Sequence, residues 1–336
     1  MLALYLRAFY FNSLPMKNLF RIEDLKKYFP IRKGILSRAR KFVRAVDGVG
    51  IEIHHGETLG LVGESGSGKS TLGRLILRLI EPTEGHIWFQ SRDITNLSRK
   101  ALQPLRKNMQ IIFQDPYSSL NPRMTVSKII GEGLKHNAKM NAQEKKNRIL
   151  DIMEKVGLRP EHYNRFPHEF SGGQRQRIGI ARAIILNPEF VVADEALSAL
   201  DVSIQAQIIN LLEKLKGELR LSYLFISHDL SVVEHISDRI AVMYLGKIIE
   251  LAPAGQLYNK PKHPYTISLL SAVPVPKVHG KQRRIILSGD IPSPFNPPKG
   301  CRFHPRCFQA MEVCSQIEPI WKDCGGGHFI ACHLYN

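Results

Sequence analysis

Long apolar runs are missing from this 336-residue chain: none reaches the roughly 18–20 residues that a helix needs to cross a bilayer. A helical membrane span is thereby excluded, although 43% hydrophobic residues still suffice for a large core, in one domain or two. Cysteine is absent from the first 300 positions. All five cysteines lie in the last 36, so they read as one unit. The N-terminal stretch from Met1 to Asn12 is apolar but short, with neither a leading basic segment nor a small-residue cleavage site. We expect residues 1–18 to be an extension lying on the surface, or a start set ahead of the more ordinary Met16-Lys17. Without an export signal a cytosolic compartment is expected, where clustered cysteines bind metal more often than they pair as disulfides. Acidic residues are scarce too, 30 against 47 basic, for a net charge of +17. None lies between Ile31 and Val46, a stretch that carries Arg32, Lys33, Arg38, Arg40, Lys41 and Arg44. Lys277, Lys281, Arg283 and Arg284 make a second basic cluster. Such clusters suit an anionic membrane surface or nucleic acid, and equally a solvated loop.

The chain does carry Gly63-Glu64-Ser65-Gly66-Ser67-Gly68-Lys69-Ser70-Thr71, which fits the phosphate-cradling pattern G-x-x-x-x-G-K-[ST]. A short pattern can match by accident, so its flanks matter. Glu57–Val62 reads as a strand, and Leu72, Leu75, Ile76, Leu79 and Ile80 recur at helical spacing, which predicts a helix from Lys69. Strand, glycine loop and helix are the required context. The glycines let successive N–H groups point into one concavity at a helix N-terminus, where anions bind. Lys69 then reaches the β- and γ-phosphates of a nucleoside triphosphate, and the Ser70 hydroxyl ligates Mg²⁺.

Taken in order, Leu19–Pro30 starts like a strand, the basic stretch follows as a loop, and Val46–Ile53 alternates like a half-buried strand. Ile87–Phe89 and Met109–Phe113 are further strands. From about 115 to 187 helices take over, predicted over Thr125–Leu134, Gln143–Val156 and Gln174–Leu186, the last with Ser171 as N-cap and Asn187-Pro188 as stop. Phe190–Ala193 and Tyr223–Ile226 read as buried strands, with an amphipathic helix through Ile204, Ile208, Leu212 and Leu215 between them. Alternating strands and helices predict an α/β fold with a doubly wound, mainly parallel sheet, carrying a helical insertion at 115–187. Beyond Tyr258 half of the 20 prolines and then the cysteines appear, so 259–336 reads as a separate, loop-rich C-terminal extension.

Chemistry in such sheets gathers at the carboxyl ends of the strands, which collects the phosphate loop, Gln114, Asp194, Glu195 and His228. Asp194 is placed to hold Mg²⁺ and Glu195 to orient and deprotonate an attacking water. Gln114 would touch metal and water, and His228 the γ-phosphate. Singly, each has a structural explanation, since Asp-Glu pairs cap strands and histidines follow them on surfaces. Behind a phosphate loop, the set points to triphosphate hydrolysis. Ser171-Gly172-Gly173-Gln174 opens a helix away from that edge and reads either as a second anion site or as a glycine-rich cap.

"GESGSGKST", "FQDP", "FSGGQRQR", "VVADE", "SALD" and "ISHD", in this order and spacing, resemble the nucleotide-binding subunit of ATP-binding-cassette transporters over Leu19 to about Tyr258. The resemblance implies a phosphate-loop core with an antiparallel β subdomain, and two such subunits sandwiching two ATPs. It further implies that Ser171–Gln174 contacts the γ-phosphate held by the opposite subunit, that Ser198–Asp201 communicates between the sites, and that Phe29, or else Tyr28, stacks on adenine. Ala196 departs from the family, which usually has proline after the catalytic glutamate.

"YSSLNPRMTV", "DVSIQAQIINLL", "HDLSVVEHISDR", "HPYT" and "GCRFHPRC" are similar to the ATPase subunits of oligopeptide/dipeptide importers, and "SGGQRQRIGIAR" to the second of their paired ATPases. The partners implied are two membrane permeases, a sibling ATPase and an extracytoplasmic solute-binding protein, with the chain peripheral on the cytoplasmic face of the membrane. Residues 116–124 would then couple the metal site to the permeases. In that subfamily the tail is associated with an iron–sulfur cluster. Cys301, Cys307, Cys314 and Cys332 fit its pattern with five, six and 17 intervening residues, and Cys324 is an extra. Four thiolates suit [4Fe–4S] or Zn²⁺, and His304, His328 and His333 are near enough in sequence to compete. The same subfamily includes importers of nickel and other small solutes. The rival class is a soluble cassette ATPase acting on nucleic acid or ribosomes, which the charge would suit. A single cassette with compact spacing argues against it, and the complete catalytic set argues against an inactive partner subunit.

Overall fold

The computed structural model describes residues 18–31, 41–135, 140–272, 285–287 and 289–335. Two sheets organise it. The smaller is antiparallel and runs β2 (Lys41–His54), β1 (Asn18–Ile31), β4 (Glu84–Phe89), β5 (Arg92–Asp93). Alternation explains it: Val49, Ile51 and Ile53 of β2 are buried while Gly50 and Glu52 face out. These side chains join Phe20, Ile22 and Leu25 of β1 in one apolar cluster.

The larger sheet has eight strands. In chain order they are β3 (Thr58–Val62), β6 (Met109–Ile112), β7 (Phe190–Asp194), β8 (Ser222–Ile226), β9 (Arg239–Tyr244), β10 (Lys247–Pro253), β11 (Trp321–Asp323) and β12 (Phe329–Ala331). Across the sheet the order is β11-β12-β10-β9-β3-β8-β7-β6. The last five in that order are parallel; β10, β12 and β11 add on antiparallel. Every residue of β3, β7 and β8 is buried, as expected for strands covered by helices on both faces. The helices are α1 (Lys69–Ile76), α2 (Arg99–Arg106), α3 (Pro116–Ser119), α4 (Val126–Ile130), α5 (Ala142–Lys155), α6 (Gly172–Ile184), α7 (Val202–Leu219), α8 (Leu230–Ile236), α9 (Ala254–Asn259), α10 (Pro264–Ser271) and α11 (Val313–Gln316). No helix among the described residues is long and apolar enough to cross a membrane.

Three expectations need correction, and one element was not foreseen. Helix α1 ends at Ile76 and does not reach Ile80. Arg78 turns left-handed at φ 52° and its buried guanidinium donates to the Ile94 carbonyl, which leaves Leu79 exposed. The basic stretch is not all loop, because β2 begins at Lys41 and carries Lys41 and Arg44. Arg32, Lys33, Arg38, Arg40 and the cluster at Lys277–Arg284 lie outside the described residues, as do residues 1–17. The hairpin β9–β10 was not foreseen; Leu245 and Gly246 make its turn with φ of 42° and 82°. The tail is not set apart from the core either. Strand β12 pairs with β10, and Tyr265 and Phe303 are fully buried against Tyr244 of β9.

Candidate nucleotide site

The loop after β3 needs its glycines. Gly63 (φ 151°) and Gly68 (φ 107°) have left-handed backbones, and a Cβ on either would collide with a backbone oxygen, of Met243 and Ala45 respectively. Lys69 opens α1 and is 4% exposed; its ammonium folds back to donate to the carbonyls of Gly63 (2.7 Å) and Glu64 (2.9 Å). Burial lowers its pKa from that of a free lysine, while Glu195, Asp194 and Glu64 pull the other way. Ser65 is exposed, Ser67 is buried with its carbonyl accepting from the Gly246 N–H (2.8 Å), and Thr71 continues α1.

Ser70 donates its hydroxyl to Asp194 Oδ1 at 2.6 Å. Asp194 ends β7, is 1% exposed, and has the Arg74 guanidinium 3.7 Å from its other oxygen. Next to it Glu195 takes a left-handed φ of 47° while its N–H donates to Ile226 of β8 (3.0 Å). Gln114, two residues beyond β6, donates its amide to Glu195 Oε2 at 2.7 Å, and His228 Nδ1, two residues beyond β8, stands 3.7 Å from the same oxygen. Four strand ends therefore bring together the loop, two hard oxygen ligands suited to Mg²⁺, and a carboxylate with two polar neighbours.

Other candidates lie elsewhere. Ser171 and Gln174 satisfy each other in a capping box at the start of α6, with Ser171 and Gly172 exposed. Cβ positions built on Gly172 and Gly173 meet Leu200 and Ile204, so this helix start packs on the Ser198–Asp201 segment and α7. None of the hydrogen bonds described for Ser171 or Gln174 reaches Lys69, Ser70 or Glu195. Asp201 is exposed at the N-terminus of α7, and its side chain makes no cap bond. Tyr28 hydrogen-bonds Asp47 through its hydroxyl, and burial together with that carboxylate pushes its pKa up to about 12. The adjacent Phe29 ring is 38% exposed, under the Lys27 ammonium at 5.2 Å.

Sequence reasoning missed three residues. The Tyr265 hydroxyl accepts the Glu64 N–H at 2.9 Å, Arg306 meets both Glu64 carboxylate oxygens, and Arg302 is bound to Asp47 and the Leu245 carbonyl. Their signal lay in the family wording alone: Tyr265 is in "HPYT", and Arg302 and Arg306 are in "GCRFHPRC". All five cysteines are free thiols, and burial pushes Cys301 up to about 11, with Cys314, Cys332 and Cys307 adding to the shift. Thiolate donors suit iron or zinc. Among the described residues, however, no group of three or more His, Cys, Asp or Glu side chains is arranged to hold a metal ion. His304, His328 and His333 are engaged with the Cys301 carbonyl, Glu250 and the Ile317 carbonyl.

A phosphate loop with its lysine, beside Asp194 and Glu195 at one edge of a mixed sheet, defines a nucleotide hydrolase of the phosphate-loop class. Residues 46–198 match the family model described as ABC transporter, and residues 249–314 that described as oligopeptide/dipeptide transporter, C-terminal region. The chain is 55% identical to the oligopeptide transport ATP-binding protein AppF of Bacillus subtilis (strain 168), over 95% of this chain and 98% of that one. To the dipeptide transport ATP-binding protein DppF of Escherichia coli (strain K12) it is 50% identical, over 92% of each. The post-hydrolysis dimer of the ATP-binding cassette MJ0796 bound to ADP and Pi superposes with a TM-score of 0.62 at 27% identity, covering 70% of this chain and 98% of that one. The cassette cbiO1 from Clostridium perfringens gives 0.63 at 26%, covering 72% and 91%. The chain belongs to the ATP-binding-cassette transporter family, in the branch that carries the oligopeptide/dipeptide C-terminal region. It is an ATPase, with ATP as substrate and Mg²⁺ as the accompanying metal.

Proposed function

We propose that this chain drives an importer of oligopeptides or dipeptides, working with two membrane permeases, a sibling cassette ATPase and an extracytoplasmic binding protein. It would sit at the cytoplasmic face of the membrane. The observation that carries the ATPase part is the pair of hydrogen-bonded sets at one sheet edge, Ser70 with Asp194 and Gln114 with Glu195. The peptide class is supported by the relatives' names and the C-terminal region.

In this reading residues 19–258 form the nucleotide-binding domain and 259–336 an extension. The backbone N–H groups of 63–71 and Lys69 bind the phosphates, while Ser70, Asp194 and the Gln114 amide oxygen would hold Mg²⁺, whose positive charge would offset that of the phosphates. Glu195 takes the proton of the attacking water, with Gln114 and His228 steering its carboxylate. His228 also contacts the γ-phosphate. Phe29, or else Tyr28, supplies the adenine platform; the exposure of Phe29 supports the first choice. Ser171–Gln174 and Asp201 face the nucleotide of the second subunit, which fits the described hydrogen bonds of Ser171 and Gln174, none of which goes to the loop of their own chain. Cys301, Cys307, Cys314 and Cys332 would be the donor set for [4Fe–4S], with Zn²⁺ as the alternative, a reading supported by their spacing in the sequence. Anaerobic purification with iron, sulfide and zinc analysis is expected to find one of these per chain, and five titratable thiols with no metal would remove that assignment.

The test of the whole reading is a pull-down of the tagged chain from its own membranes in mild detergent. Two multispanning permeases and a second cassette ATPase are expected by mass spectrometry. Recovery with RNA, DNA or ribosomal proteins would overturn it.

A further inference from the structure

Glu64, the second residue of the phosphate loop, is held by residues of the C-terminal region. Arg306 sits in the turn between Cys301 and Cys307, and its two terminal nitrogens meet the two Glu64 carboxylate oxygens at 2.8 and 3.1 Å. This forked pairing is one that lysine does not reproduce. Arg306 is 8% exposed, and one of its nitrogens lies 3.4 Å from the Tyr244 hydroxyl. The Tyr244 ring packs edge-on against Tyr265 and Phe303. The neighbouring Arg302 anchors the same turn to Asp47 and the Leu245 carbonyl. From α10, Tyr265 takes the Glu64 N–H at 2.9 Å.

The peptide unit joining Gly63 to Glu64 is thus held at both ends. Its N–H is bound by Tyr265, and its carbonyl accepts from Lys69 at 2.7 Å. The next carbonyl, of Glu64, accepts from Lys69 (2.9 Å) and from the Ser67 N–H (3.2 Å). Rotating Glu64 would therefore displace the lysine and the turn that follows it. Charge adds a second effect: an unpaired carboxylate in this loop would repel a triphosphate, and the Arg306 fork cancels it.

We infer that Arg306 and Tyr265 are positioning residues for the phosphate loop, so that the C-terminal extension completes the nucleotide site. They set the geometry of Lys69 and the loop amides before the triphosphate binds, which lowers the cost of binding. Neither touches reacting atoms, so their effect falls on affinity and KM, with kcat spared. The inference rests on reading 63–71 as the ATP phosphate loop.

The test uses the full chain and the non-hydrolysable analogue AMP-PNP with Mg²⁺, followed by calorimetry, beside KM and kcat for ATP hydrolysis. Arg306→Gln is expected to weaken binding about tenfold, a loss on the scale of one charge-assisted fork. Arg306→Lys and Tyr265→Phe should each weaken it about threefold, since each loses part of the hold. Adding Glu64→Gln to Arg306→Gln should recover much of the loss, because the repelling charge is then gone; a role confined to folding would not be rescued in this way. Wild-type affinity in Arg306→Gln, or a double variant no better than the single one, overturns the inference. Should Arg306→Gln show no cooperative melting transition, Arg306→Lys and Tyr265→Phe decide, and wild-type affinity in both overturns it. A wild-type chain that does not bind the analogue removes the phosphate-loop reading itself.

Discussion

Glu195 concentrates the residue-scale chemistry. Its left-handed φ of 47° costs a glutamate on the order of 1–3 kcal/mol, and the Ile226 carbonyl on its N–H and Gln114 on its carboxylate help hold it there. Glu195→Gln should slow single-turnover ATP hydrolysis by about 10²–10⁴-fold, the usual contribution of a general base, while leaving Mg-ATP binding intact. Unchanged turnover would move the base elsewhere. Gly68→Ala tests the loop backbone, because the added Cβ collides with the Ala45 carbonyl. Destabilisation of about 3 kcal/mol in denaturant unfolding, with loss of nucleotide binding, is the expected outcome. His263 supplies a pH test. Burial lowers its pKa from 6.5 to about 4, with its Nδ1 accepting from the Tyr265 N–H. The folded state holds fewer protons there than the unfolded state, so His263 stabilises fully above pH 6.5 and that stability drains away as pH falls to 4. The contribution is about 3 kcal/mol. In His263→Asn, which keeps an acceptor for the Tyr265 N–H, the decline of the melting midpoint between pH 6.5 and 4 should shrink; an unchanged decline would assign it to other groups.

At the scale of elements, the tail's attachment is the feature to test. Strand β12 pairs with β10 through Glu250 and Leu251, and the buried Glu250 carboxylate takes the N–H groups of Lys262 and His263 and faces His328 Nε2 at 2.7 Å. Ile330, opposite Glu250, is fully buried. Ile330→Ala is expected to cost about 2–4 kcal/mol and to speed amide exchange in β12 well before β3. Uniform exchange across both strands would show that the tail unfolds only with the core. Helix α6 is tied to the segment after Gln114: the Arg175 guanidinium lies 3.7 Å from the Tyr117 ring centre, and Arg182 donates to the Ser119 carbonyl at 2.6 Å. The element types were largely legible because hydrophobic period lies within each segment, as in the unbroken burial of Phe190–Asp194 or the Ser171 cap. Hairpin β9–β10 escaped because its strands are apolar without alternation, and its turn has only one glycine to mark it.

For the molecule as a whole, the proposed arrangement completes each nucleotide site with a second subunit. Ser171 and Gly172 are exposed, Gln174 is half-buried, and none of the hydrogen bonds described for Ser171 or Gln174 reaches their own chain's Lys69 or Glu195. Specific ATPase activity of the purified chain should therefore rise with protein concentration, and rise again when sibling ATPase and permeases are added. Activity per chain that stays constant on dilution would show the site to be complete within one subunit.

By itself the sequence determined the phosphate loop, the strand-end residues Gln114, Asp194, Glu195 and His228, and the capped helix at Ser171. Each is written in a few contiguous residues whose glycines, caps and periodicity dictate local backbone. Only the tertiary structure decided that Tyr28 binds Asp47 and that residues 302–306 reach back to β2 and the loop. It alone paired Arg306 with Glu64, 242 positions away. No local pattern encodes such pairs: many arginines are available to any one carboxylate, and chain topology with burial selects among them.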